Sequence, residues 1–90
     1  MYVIERNIPG AGDLDASELK AISRSSCDVI DGIGSGNITW LHSYVTGEKV
    51  YCVYLAKNKA FIEEHAKKGG FPANTIEQVA IIIDPETALE

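Results

Sequence analysis

Trp40-Leu-His-Ser-Tyr-Val-Thr-Gly-Glu-Lys-Val-Tyr-Cys-Val-Tyr54 places a run of β-branched and aromatic residues on each side of Gly47-Glu48. Such side chains suit a pleated, half-buried surface, and a short polar link containing glycine reverses the chain, so the stretch predicts a β-hairpin. With Gly47-Glu48 as a two-residue turn, Thr46 opposes Lys49, Ser43 opposes Cys52, His42 opposes Val53 and Leu41 opposes Tyr54. Directly opposed residues share a face of the sheet. Trp40, His42, Tyr44, Tyr51, Val53 and Leu55 are therefore expected on one side. Leu41, Ser43, Val45, Val50, Cys52 and Tyr54 are expected on the other. Both sides are largely apolar or aromatic, and a small sheet of that kind needs cover on each.

The elements flanking the hairpin follow from local signals. Tyr2 to Asn7 reads as a strand stopped by Pro9-Gly10. Asp15-Ala-Ser-Glu18 has the pattern of a capping box, in which each side chain satisfies the other residue's backbone N–H. It opens a helix whose Leu19, Ile22, Val29, Ile30 and Ile33 recur at three- and four-residue spacing, and Gly32, Gly34 and Gly36 end it. The glycines follow a helix and precede a strand, the reverse of the order in a phosphate-binding loop. Asn37 to Val45 and Val50 to Ala56 are the hairpin strands. Asn58 caps a second helix to Lys68, with Phe61, Ile62 and His65 on one stripe and Gly69-Gly70 as its stop. Thr75 to Ile83 completes the pattern as a last strand. The order βαββαβ, with two right-handed crossovers, predicts an α+β ferredoxin-like fold: a four-stranded antiparallel sheet with both helices on one face. The face left open, carrying Trp40, His42, Tyr44 and Tyr51, points to a homodimer of the dimeric α+β barrel type.

At 90 residues, the chain reads as one domain over 1–88, with Leu89-Glu90 as an expression-vector scar. A chain this short buries only about 60% of its unfolded surface, so association would add stability it lacks alone. No apolar run approaches a membrane span, and Met1 to Gly10 has no signal-peptide pattern, which makes a cytoplasmic protein the expectation. A net charge of −5 with scattered Lys and Arg argues against nucleic acid as a partner. Two cysteines without an export signal are expected to be free thiols.

Chemistry concentrates in and just after the hairpin. Cys52 offers a thiolate, a soft metal ligand and nucleophile, or else buried packing. His42 offers an imidazole for metal or protons, and His65 lies on an apolar helix stripe where a structural role competes with a functional one. His42 and Cys52 fall on opposite faces unless a bulge shifts the pairing, whereas Cys52 and His65 could meet between sheet and helix. Cys27 reads as packing at the edge of the first helix's buried face. Glu5 and Arg6 point to opposite sides of a central strand, where a charge needs a partner, so Glu5 or Arg6 is a candidate for a polar pocket, the alternative being a solvent-facing strand end.

The run His42-Ser-Tyr-Val-Thr46, Lys49, Tyr51-Cys-Val-Tyr54, Glu64-His-Ala66 and Gly70-Phe-Pro-Ala73 resembles the small nickel-binding, nickel-responsive proteins of ferredoxin-like fold, a family often described only as a domain of unknown function. The resemblance extends from Val3 to Asp84. It implies a dimer that binds nickel through sulfur and nitrogen, and it directs attention to His42, Cys52 and His65 as metal ligands. One chain has too few such donors for a six-coordinate ion, so a second chain, backbone groups or water would complete the set. Residue type does not by itself select nickel over zinc or copper.

The expected function is a small metal-binding protein that stores, buffers or senses nickel instead of performing catalysis. An alternative is a dimeric enzyme or binding protein for a small organic molecule, with Glu5, Tyr44 and Tyr54 in its pocket and His42 as an acid-base group. A third reading is an interaction module that docks a partner on the aromatic sheet face.

Overall fold

The computed structural model of the protein describes residues 1–89; Glu90, assigned above to the scar, lies outside the described residues. Its elements are β1 (Tyr2–Asn7), α1 (Ala16–Ile33), β2 (Ile38–Val45), β3 (Lys49–Ala56), α2 (Lys59–Gly69) and β4 (Thr75–Gln78), with short 3-10 turns at Ala11–Asp13 and Pro85–Leu89. Antiparallel pairing gives the sheet order β2-β3-β1-β4, the expected ferredoxin-like topology.

Local chemistry accounts for the helix ends. The Asp15 carboxylate accepts from the Glu18 N–H at 2.8 Å and the Glu18 carboxylate accepts from the Asp15 N–H at 3.4 Å, closing the capping box. The helix stops at Gly34, whose φ of 107° suits a residue without Cβ. Asn58 occupies the N-cap position of α2 without a side-chain cap bond, and Gly70 closes that helix in the left-handed region at φ 70°.

Ile4, Ile38, Tyr54 and Ile62 are fully buried, and with Tyr2, Ile30 and Cys52 they form the core. Strand residues and residues of both helices meet in this one cluster, so α1 and α2 cover the same sheet face. Burial of each large aliphatic side chain there contributes roughly 1.5 to 3 kcal/mol.

The hairpin register from His42 to Val45 is the expected one, with His42 opposite Val53 and Ser43 opposite Cys52. It breaks at Leu41. Trp40, not Leu41, opposes Tyr54, so Leu41 is the extra residue of a β-bulge. One inserted residue inverts the faces beyond it. Trp40 therefore turns to the helix side, where its indole Nε1–H donates to Ser43 Oγ at 2.9 Å, and Leu41 is exposed. The bulge leaves His42 and Cys52 on opposite faces.

The last strand also departs from expectation. It stops at Gln78, which lies opposite Tyr2 at the start of β1. The Val79 N–H still reaches the Met1 carbonyl at 2.8 Å, but the residues after it have no β1 residue opposite, and Ile81, Ile82 and Ile83 are exposed. On α1, Ile22 and Cys27, expected on or beside the buried face, are exposed.

Gly69, the last residue of α2, packs against the Phe71 ring so closely that a Cβ would overlap it. Alanine ordinarily gains about 1 kcal/mol over glycine in a helix. At Gly69 the sign reverses, and Gly69→Ala is expected to lower the free energy of urea unfolding by about 1 to 3 kcal/mol.

Candidate functional site

Strand periodicity sends Tyr2, Ile4 and Arg6 to the helix side of β1, so a guanidinium enters the layer that holds the core. Arg6 is 3% exposed. Its Nε–H donates to Cys52 Sγ at 3.3 Å, one terminal nitrogen to the Pro72 carbonyl at 2.7 Å, and the other to Tyr54 Oη at 3.5 Å. Its carbon lies 5.5 Å from the centre of the Phe71 ring, a cation–π contact. The ion pairs among the described residues are Lys49–Glu5 and Lys68–Glu64, so no carboxylate balances Arg6.

His65 projects from α2 into the same layer. It is fully buried, and its Nε2 shares a 2.9 Å hydrogen bond with Ser26 Oγ of α1, the direction set by the imidazole tautomer. Its Nδ1 has no partner. The ring stacks on Phe71 at 5.4 Å between centres and leans on Tyr54 at 5.2 Å. Burial, then the nearby Arg6 charge, pushes its pKa down to about 4, against a weaker upward pull from Ser26, so the ring is neutral at pH 7. Burial and the neighbouring Cys52 raise the Tyr54 phenol above its usual range.

Between α1 and the sheet, this layer opens into a cavity of about 90 Å³. Leu14, Leu19, Ile22, Trp40, Val45 and Val50 supply much of its apolar wall. Arg6, Cys52 and Tyr54 contribute its polar lining together with the hydroxyls of Ser23, Ser26 and Ser43. A buried cation, a thiol, a phenol and a neutral imidazole form a region that favours an anion and opposes a second cation.

The structure thus divides the residues singled out from the sequence. Cys52 and His65 lie in the buried layer, joined through Arg6 and Tyr54. His42 stands exposed on the open sheet face, edge-on to Tyr44 with ring centres 5.1 Å apart. Glu5 lies on that face too, held by Lys49 Nζ at 2.9 Å, so Glu5 and Tyr44 do not line the cavity whereas Tyr54 does. Among the described residues, no group of three His, Cys, Asp or Glu side chains converges to hold a metal ion. Arg6 was legible as a charge needing a partner on a central strand. Ser26 and Phe71 carried no such signal, since a serine within a helix and an aromatic beside proline are unremarkable in one dimension.

A family model described as "Nickel responsive protein SCO4226-like" matches residues 2–79. Among solved structures, the crystal structure of SCO4226 from Streptomyces coelicolor A3(2) is similar, with a TM-score of 0.75 and 12% identity over 91% of this chain and 98% of that one. At that identity the likeness concerns the fold. No curated protein matches the chain.

His65 makes the stability of the fold depend on pH. Its folded pKa lies below the usual 6.5, so between those values the unfolded chain binds more protons and stability falls as pH falls from 6.5 toward about 4. Urea titrations of the wild type and His65→Gln, which retains a polar group for Ser26 but does not titrate there, isolate this contribution. The wild-type advantage is expected to be constant above neutrality and to shrink by up to about 3 kcal/mol across that window.

Proposed function

The chain belongs to the SCO4226-like family of nickel-responsive proteins, and we propose that it is a cytoplasmic nickel-binding protein, a store or buffer for the ion, that works as a homodimer. The observation that carries this reading is the position of His42. Its imidazole is exposed on the open face of the sheet, away from the Arg6 cation that opposes positive charge around Cys52 and His65. One chain offers no convergent set of three donors among its described residues, so the ion would draw its ligands from two chains, with water or backbone groups completing the set.

The homodimer has its own support. Tyr44 and Leu55 are exposed on the open face, and Ile81, Ile82 and Ile83 are exposed beyond β4. Three consecutive exposed isoleucines are the strongest support among these, since it is adjoining apolar surface, not single exposed side chains, that marks an interface. A two-fold contact across the open face presents the same patch from both subunits and brings the two His42 side chains onto one interface.

Metal analysis of untagged protein purified without chelator, then equilibrated with competing nickel, zinc and copper, tests the reading. Nickel is expected to be retained. His42→Ala should weaken it by about 10- to 100-fold or more, since that is the usual effect of losing even a supporting partner of a ligand. Cys52→Ser and His65→Gln should retain the metal. Loss of nickel in Cys52→Ser with retention in His42→Ala would move the site to the buried layer. A light-scattering mass of one chain at micromolar concentration would overturn the homodimer.

A further inference from the structure

The nickel reading leaves the burial of Arg6 unexplained. A guanidinium carries a permanent positive charge and five N–H donors. Three protein acceptors meet it, and only the Pro72 carbonyl is both close and strong; the others are a thiol sulfur at 3.3 Å and a phenol oxygen at 3.5 Å. A charge held in such a place without a counter-charge is costly by several kcal/mol per ion. The side chain nevertheless lines the cavity between α1 and the sheet, whose wall is otherwise mostly apolar.

We propose that this cavity is a binding site for a small monocarboxylate with an apolar body, its carboxylate held by Arg6. A carboxylate supplies both the charge and the acceptors that the guanidinium lacks, and arginine's planar fork matches its two oxygens. The hydroxyls of Tyr54 and Ser43, which also line the cavity and accept their protein hydrogen bonds, keep their own protons free to donate toward the same group. Leu19, Ile22, Trp40 and Val45 offer apolar wall to the hydrocarbon part.

The volume sets the size class. A cavity of about 150 Å³ accommodates benzene, so the same spacing leaves room here for roughly four carbon-sized atoms. Ile22 and Val45 are both part of the wall and partly open to solvent, which marks the side where a longer body can emerge. 3-Methylbutanoate, whose carboxylate and first methylene fill that volume, carries its branched end to this opening between Ile22 and Val45.

The site is independent of the nickel reading, since it uses neither His42 nor a metal ion. Protein stripped of metal is titrated with sodium 3-methylbutanoate and, separately, with 3-methylbutanamide, which keeps the shape and lacks the charge. Binding is read by calorimetry and by the fluorescence of Trp40, the single tryptophan, which forms part of the wall. Saturable binding of the carboxylate is expected, with the amide weaker by at least about tenfold, the loss of a charge-assisted contact. Arg6→Met should abolish the difference between the two probes. Ile22→Phe, a change on an exposed stretch of helix that leaves Arg6 untouched, should weaken the carboxylate by filling the opening, and it keeps the test decisive if Arg6→Met does not fold. Equal binding of acid and amide, undiminished binding in Ile22→Phe, or no saturable binding of the acid at millimolar concentration would each overturn the proposal.

Discussion

A single buried guanidinium organises the interior of this protein. Arg6 leaves β1 and reaches Cys52 and Tyr54 on β3, the Pro72 carbonyl beyond α2, and the face of Phe71. Phe71 in turn stacks on His65, which is hydrogen-bonded to Ser26 of α1. The sheet and both helices are thus joined by one chain of polar and aromatic contacts. Buried polarity is costly unless donors and acceptors meet, and here the Pro72 carbonyl and the Ser26–His65 bond meet that need while His65 Nδ1 does not. The close approach of Gly69 to Phe71 belongs to the same requirement, because the ring must sit where it can cover both Arg6 and His65.

The bulge at Leu41 sets the character of the two sheet faces. Without it, Trp40 would join His42 and Tyr44 on the open side. With it, Trp40 closes the cavity on the helix side and bonds to Ser43, and the open face keeps His42, Tyr44, Tyr51 and Leu55 without the indole. One unpaired residue therefore moves the largest side chain of the protein from a prospective interface to an interior wall. The reading of the open face as an aromatic docking surface loses its largest member by the same step.

The separation of charge across the sheet has a chemical consequence. The helix side holds the Arg6 cation with no carboxylate paired to it among the described residues, a condition suited to anions. The opposite side holds an accessible imidazole and a Glu5–Lys49 pair, conditions under which a cation can approach. The strands of one small sheet thus separate a buried cation from an exposed imidazole and ion pair.

Several features were settled by the chain's own order of residues. The Asp15 and Glu18 capping box, the Gly47-Glu48 reversal and the glycine stops at Gly34 and Gly70 are local interactions, within reach of a few residues, and the structure has them where the pattern places them. The βαββαβ order and the nickel-responsive family follow from the same linear information. The tertiary structure decided the rest. Period-two alternation cannot reveal an inserted residue whose only sign is the partner strand, so the face of Trp40 depended on pairing with Tyr54. Nor can it reveal where a strand loses its neighbour, so β4 ended at Gln78 although Ile81 to Ile83 continue the β-branched run. The environment of Arg6 is assembled from β1, β3 and the loop after α2, segments as far as 66 residues apart. A charge whose partners are that remote can be recognised in sequence as needing them, but only folding determines which they are.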